Sequence, residues 1–463
     1  MKSRLVIVLG GFSFFIYILF AYLFYKERTI MPDMAFQLFC ILKNQDFAIQ
    51  IHRYGAVLTQ LFPFIGMKLG VSLNAIAQLY SLSFPIVYLM EFVLIAFALK
   101  NERIALVFFL FNFLINTHSF FWCQCELIQG VSFTLLYIAW IERHLAQPFK
   151  LSLFWGISLL GLVTIVFFYP LLVIVLVYAL LFLYFNSYKI ENKRLYLHVF
   201  LVYSLLFILK LIFVRNFYDA GALNNLKNFY TLFPSYFATT SWKNFYGYLL
   251  KDYWGLILLF CLVVYQYFNS QKWLKLALFL SFFIGTIFLI NICYKDGAEQ
   301  FYLEGQYSIL CALLGFSLAY DIVSNWSPKW LFGFLSMILI LFIFRITSTR
   351  SVYSDRVNLY RNLITEFSHK KVILENHPIR YKTLKMQWGS SFETWLLSTT
   401  ERRETSSIII KDNPKDLDWA LDKSKSFITE WEIVDYDKLN SNYFIFKDSG
   451  TYTKIQPLDS NVF

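Results

Sequence analysis

Residues 5–25 read LVIVLGGFSFFIYILFAYLFY, and residues 26–54 continue KERTIMPDMAFQLFCILKNQDFAIQIHRY. The first stretch carries no charge and is long enough to cross a bilayer, whose hydrocarbon core takes about 20 apolar residues of helix. It exceeds a signal-peptide core and lacks a small-residue cleavage site, so it reads as a retained first span. Lys2 and Arg4 precede it, which predicts a cytoplasmic N-terminus and an outer loop beginning at Lys26. Within that loop Met34 to Phe47 and Tyr54 to Leu69 are apolar on one side and too broken to span. They read as two helices lying in the outer interface, the second kinked at Pro63.

Composition carries the same reading through the chain. Hydrophobic residues make up 58%, aromatic residues 21% and charged residues only 15% of the sequence, too apolar for a solvated surface. Mean hydropathy is +0.53. The net charge of +11 could suggest nucleic acid, but from Thr347 onward 17 Lys and Arg face 16 Asp and Glu. The excess belongs to the apolar part, where the cytoplasmic bias of basic residues explains it, and nucleic-acid binding is not expected. The six cysteines are scattered, and Cys123-Gln124-Cys125 has neither redox nor zinc spacing; no metal set is read from the sequence.

Further apolar runs at about Ala75–Leu99, Ile104–Ile115, Phe120–Ile141, Leu195–Phe213, Trp254–Phe268, Leu276–Tyr294, Tyr307–Val323 and Trp330–Ile346 predict spans. The block Leu151–Tyr188, broken at Tyr169-Pro170, predicts two more. Each turn that parity places inside carries Lys or Arg, among them Lys100, Arg143, Lys193, Lys272 and Lys329. The expected fold is an all-α polytopic membrane bundle of about eleven transmembrane helices plus the two interfacial helices. Residues 1–346 form it, and an outer loop from Arg215 to Tyr253 is rich in aromatic rings. Residues 347–463, denser in charge and in turn signals such as His377-Pro378, are expected outside as a small α+β soluble domain. It should hold a helix at Tyr353–Lys370 and strands at Ser407–Ile410, Glu432–Asp435, Tyr443–Lys447 and Tyr452–Ile455. The expected location is the cell's inner (cytoplasmic) membrane.

Three polar clusters lie on the outer side. The first is Asp33 with His52-Arg53-Tyr54: a carboxylate at the membrane surface can serve as general base, and an Arg can grip a phosphate. A helix start at Asp33 and snorkelling of Arg53 are the bland alternatives. The second is His118, Gln124, Glu126 and Gln129, with Glu126 about one and a half turns inside a predicted helix, or simply hydrogen-bonded to a neighbouring helix. In the third, Lys295 to Glu299 with Glu304, Gln306 and Tyr307, Lys295 could hold phosphate, and Glu299 or Glu304 could bind sugar hydroxyls or a cation; charges pairing in a solvated loop are the alternative. Nucleotide-binding loops and common hydrolase motifs are absent from the sequence.

An acidic residue in the first outer loop (Asp33), two interfacial helices there, a second acidic residue (Glu126) and a trailing outer domain together resemble the GT-C superfamily of membrane glycosyltransferases. The resemblance implies Asp33 as catalytic base and Glu126 as second acidic residue. It implies inverting transfer, either metal-independent or assisted by a divalent cation, from a polyprenyl-phosphate-linked sugar to a cell-envelope acceptor that is a glycan, lipid or protein. Arg53, His52 and Lys295 are then phosphate holders on chemical grounds, with His118, Gln129, Glu299 and Glu304 as substrate contacts. The rival readings are a flippase of lipid-linked saccharides and a non-catalytic envelope assembly protein.

Overall fold

A computed structural model describes residues 2–214, 216–377, 382–384, 386–447 and 449–455; Arg215 and Pro378, named above, lie outside the described residues. The chain opens with α1 (Lys2–Leu23), apolar on all sides, and the short α2 (Tyr25–Thr29). Next come α3 (Pro32–Asn44), begun by a proline whose missing N–H costs a helix nothing in its first turn, and α4 (Val57–Lys68). The two predicted outer-loop helices are therefore present. In α5 (Leu73–Val93) the Ser72 side chain caps the helix by accepting from the Ala75 amide, and a π-helical turn extends it through Leu94–Ala98.

The bundle continues with α6 (Glu102–Phe113), α7 (Glu126–Ala146), α8 (Leu151–Val166), α9 (Leu172–Asn186) and α10 (Ile190–Phe213). Between α10 and the next long helices lie α11 (Phe217–Asn224), α12 (Asn228–Thr231) and α13 (Thr240–Lys251). Then follow α14 (Trp254–Asn269), α15 (Trp273–Cys293), α16 (Gln300–Ser317) and α17 (Pro328–Glu366).

Among the described residues six helices, not eleven, are long and apolar enough to cross a membrane: α1, α5, α10, α15, α16 and α17 with their short extensions. A seventh is gained if α13 and α14, bent by 88° at their junction, count as one. This is the architecture of a multi-pass membrane protein. The other predicted spans do not reach that measure of length and apolarity. The 12 residues of α6 cover only about 18 Å, and every one from Ile104 to Phe113 is buried, so its apolarity answers to protein neighbours rather than lipid. The second correction concerns α7, which starts at Glu126 rather than Phe120: residues 114–125 are not helical apart from isolated turns. α8 and α9, at 16 and 15 residues, span about 24 Å or less.

The last apolar helix and the predicted helix of the C-terminal region are one. α17 runs unbroken for 39 residues across position 346, its start fixed by Ser327, which accepts from the Trp330 amide, and by Pro328. Beyond it β1 (Lys371–Glu375), α18 (Ser390–Arg402) and β2 (Ser407–Lys411) make a βαβ unit, and β1 also pairs in parallel with the last strand. β3 (Ser426–Ile428) and β4 (Ile433–Asp435) form an antiparallel hairpin, and β5 (Thr453–Ile455) completes the sheet in the order β2-β1-β5. Residues 443–447 are not a strand: their side chains pack inward instead, Tyr443 and Phe444 being buried.

This small domain is seated on the bundle. The Phe39 ring of α3 lies 5.0 Å from Phe392, 5.6 Å from Trp395 and 5.5 Å from Phe444, so both parts share one apolar core. The buried Arg356 of α17 makes paired hydrogen bonds of 2.8 and 2.7 Å to the Glu393 carboxylate of α18, which also accepts from Tyr360 at 2.7 Å. At the edges Lys26 pairs with Glu401 and Lys43 with Glu432.

Candidate functional site

Under the C-terminal domain lies a cavity of about 320 Å³ whose wall includes Asp33, Arg53, Glu126, Trp122, Trp388 and Trp431. Three remote parts of the sequence meet there: the start of α3, the turn before α4 and the start of α7. Asp33 is the second residue of α3 and Glu126 the first of α7, so each carboxylate sits at a helix N-terminus, where the helix dipole favours negative charge. Met31 at the cap position makes no side-chain cap bond. Ile51 and His52 both take left-handed backbone, with φ of 52° and 59°, a costly conformation for a β-branched residue. That turn carries Arg53 inward and leaves His52 outside the cavity, 3.4 Å from the Tyr54 hydroxyl.

Arg53, only 6% exposed, is the hub. One nitrogen lies 3.2 Å from Glu126 and another 3.3 Å from Asp219, while the Tyr169 and Tyr218 rings lie 4.4 and 5.2 Å from its guanidinium. Asp219 also receives Lys210 at 3.4 Å and the Asn216 amide at 2.9 Å. Burial raises the Asp219 pKa, but these donors outweigh it and hold the carboxyl below its ordinary value. Asp33 is the opposite case. Burial, then repulsion from Glu126, pushes its pKa up to about 8, with the Trp122 indole hydrogen bond opposing them. Two acids, Glu126 and Asp219, thus face two bases, Arg53 and Lys210.

The wall between α6 and α7 is irregular backbone inside a helical bundle, and its polar groups are satisfied by charged side chains from distant helices. Glu304 accepts from the Thr117 and Ser119 amides at 2.7 and 2.8 Å and from the Tyr253 hydroxyl at 2.9 Å. Arg345 donates to the Leu114 carbonyl and Arg28 to the Phe120 carbonyl. Glu304 thus shapes the wall that presents Trp122 and Gln124 and is not itself part of the cavity lining.

The structure therefore gathers Asp33, Arg53, Glu126, Gln124 and Gln306, and does not bring His52, His118, Gln129, Lys295, Glu299 or Glu304 into that lining. His118 faces α17, its Nδ1 2.9 Å from the Tyr353 hydroxyl, and Gln129 accepts from Thr59 at 3.1 Å. Lys295 and Glu299 stand on the loop before α16, outside the lining. Sequence reasoning missed Lys210 and Asp219, although a lysine in an apolar helix and an acid just past its end are signals of the same kind as Asp33. Among the described residues no group of three or more His, Cys, Asp or Glu gathers.

A second, apolar groove of about 650 Å³ opens beside the first, lined by α4, α5, α7 and α8 with Leu58, Leu136, Trp140 and Leu160. The two are linked in sequence and in space: Arg53 lines one and Tyr54 the other, Tyr169 one and Phe167 the other, and the Tyr54 and Phe167 rings lie 6.1 Å apart. The fold and site define a multi-pass helical membrane protein with a charged cavity beside a lipid-sized groove. No family profile, curated protein or solved structure matches the chain.

Proposed function

We propose that the protein is a membrane glycosyltransferase of GT-C type that moves a sugar from a polyprenyl-phosphate donor to a cell-envelope acceptor at the outer face of the membrane. The observation that carries this reading is the junction of the two hollows at Arg53 and Tyr54. An amphiphile with an anionic head and a long apolar chain fits that junction, its phosphate at Arg53 and its chain between α5, α7 and α8. Asp33 then takes the proton from the acceptor hydroxyl as the acceptor oxygen attacks the anomeric carbon. The bond from that carbon to the phosphate oxygen breaks, and the lipid phosphate leaves against Arg53.

The distribution of charge supports the orientation. Glu142 lies sixteen residues along α7 from Glu126, about 24 Å away. At that far end the Tyr320 hydroxyl donates to Glu142, Arg103 lies 5.0 Å from the Tyr320 ring, and Lys272 and Lys275 both pair with Asp321. Basic residues collect there, as expected of a cytoplasmic side, and this supports the reading that the cavity and the C-terminal domain face outward.

The test is transfer of labelled sugar from a polyprenyl-phosphate donor to envelope extract by the purified protein in proteoliposomes. Wild type should transfer and Asp33→Asn should not. A wild-type protein inactive with every polyprenyl-phosphate sugar tried overturns the reading, and full activity of Asp33→Asn overturns the role given to Asp33.

A further inference from the structure

The cavity has an aromatic end built by the C-terminal domain. Trp431 sits at the tip of the β3–β4 hairpin, and the residue is 61% exposed. The tip is held from both sides, Glu430 pairing with Lys411 at 2.7 Å and Glu432 with Lys43 of α3 at 2.5 Å. The Thr429 amide closes the turn by donating to the Glu432 carbonyl at 2.9 Å. A large ring fixed in place yet left open to water gives up apolar burial that a hairpin tip of polar residues would not forgo.

Trp431 does not stand alone. Its ring is 5.1 Å from Trp388 and 5.0 Å from Phe36, one turn along α3 from Asp33. Trp388 is itself placed by close backbone contact: a Cβ on Gly389 would lie 2.6 Å from the Pro32 Cα, so only glycine lets the domain approach the start of α3 this closely. Two polar groups of the same cavity want partners. Gln124 and Gln306 are each only 4% exposed, and the Gln124 amide nitrogen and the Gln306 amide oxygen have no hydrogen-bond partner among the described residues. A buried donor and a buried acceptor left unmatched are costly unless a ligand answers both.

From these observations we infer that the C-terminal domain supplies a saccharide subsite, in which a pyranose ring lays its C–H face on Trp431 and Trp388 and its hydroxyls reach Gln124 and Gln306. A pyranose offers what the wall asks for, an apolar face for the rings and hydroxyls that donate and accept. The phosphate end of the cavity is at Arg53, beside the apolar groove, and the tryptophans pack on Phe36, one turn along α3 from Asp33. The ring seated there is the acceptor's. Only the word acceptor rests on the transfer reading; the saccharide subsite stands on the rings and amides.

The experiment uses the full chain in lipid nanodiscs and saturation-transfer NMR with four soluble probes: methyl β-D-glucopyranoside, methyl β-D-galactopyranoside, methyl α-D-mannopyranoside and N-acetylglucosamine. At least one should receive saturation at its ring C–H protons. Trp431→Ala should weaken binding about tenfold, the equivalent of 1.4 kcal/mol, and Trp431→Phe should keep most of it. No binding of any probe by wild type, or equal binding by Trp431→Ala, overturns the inference. In the transfer assay Trp431→Ala should raise the acceptor KM with a smaller change in kcat; an unchanged KM overturns the inference and leaves the transfer reading intact. Saccharide binding lost in Trp431→Ala, in a wild-type protein that transfers nothing, sustains the subsite and removes only the transfer reading.

Discussion

Replacing Asp33 by Asn keeps the shape of the side chain and removes the acid, and the structure gives the sign of two opposite effects. The folded pKa of about 8 stands above the ordinary 3.8, so the protonated form is the one the fold favours. The associated stability is fully present below pH 3.8 and is lost as pH rises through about 8. At pH 7 the free-energy cost of keeping this acid buried is about 4 kcal/mol. The Asp33 residue keeps part of its surface exposed, so about half of that, ~2 kcal/mol, is the gain expected from Asn. In a large helical protein this raises Tm by about 2–5 °C. The assay is thermal unfolding of wild type and Asp33→Asn in the same detergent at pH 5 and pH 7, with sugar transfer measured in parallel. The gain should be larger at pH 7 than at pH 5, and transfer should vanish. A lower Tm for Asp33→Asn at pH 7 would refute the account of a desolvated acid.

Three more outcomes follow from the same geometry. Arg53→Ala leaves Glu126 and Asp219 without their shared partner and should cost about 3–5 kcal/mol, seen as a lowered Tm; Arg53→Lys, lacking the fork, should restore part of the stability and little of the transfer. Because the base is the deprotonated form of Asp33, the transfer rate should rise with pH and level off above about 8, the reverse of the stability trend, as a pH–rate profile in proteoliposomes would record. Leu160→Trp, which fills the apolar groove from a position already 68% exposed, should slow transfer from long-chain donors and spare short-chain ones, with Tm unchanged.

What the sequence disclosed was local. The first span, the two outer-loop helices and the grouping of Asp33 and Arg53 on one side could be read because each depends on a short run and its flanking charges. The start of α7 could not. Residues 120–125, FFWCQC, look like the start of a membrane run, and only Arg28, Arg345 and Glu304, far away in sequence, make irregular backbone tolerable in this stretch and just before it. The same holds for α6, whose apolar residues meet other helices instead of lipid, a difference that hydropathy does not register. Trp388 and Trp431 reach the cavity only because the C-terminal domain docks on α3, some 350 residues earlier in the chain, through Phe39 and Lys43. Lys210 was legible and overlooked: one lysine near the end of a 24-residue apolar helix has to find a carboxylate, and Asp219 is nine residues on.

The claim on which the rest depends is that a lipid phosphate sits across the two hollows. The most direct measurement is an experimental structure of the protein in nanodiscs containing a polyprenyl-phosphate sugar. The account predicts the phosphate within hydrogen-bonding distance of the Arg53 guanidinium, the first isoprene units in the groove beside Leu136 and Leu160, and the anomeric carbon facing Asp33. A donor bound elsewhere on the bundle, with the cavity holding only water, would contradict it.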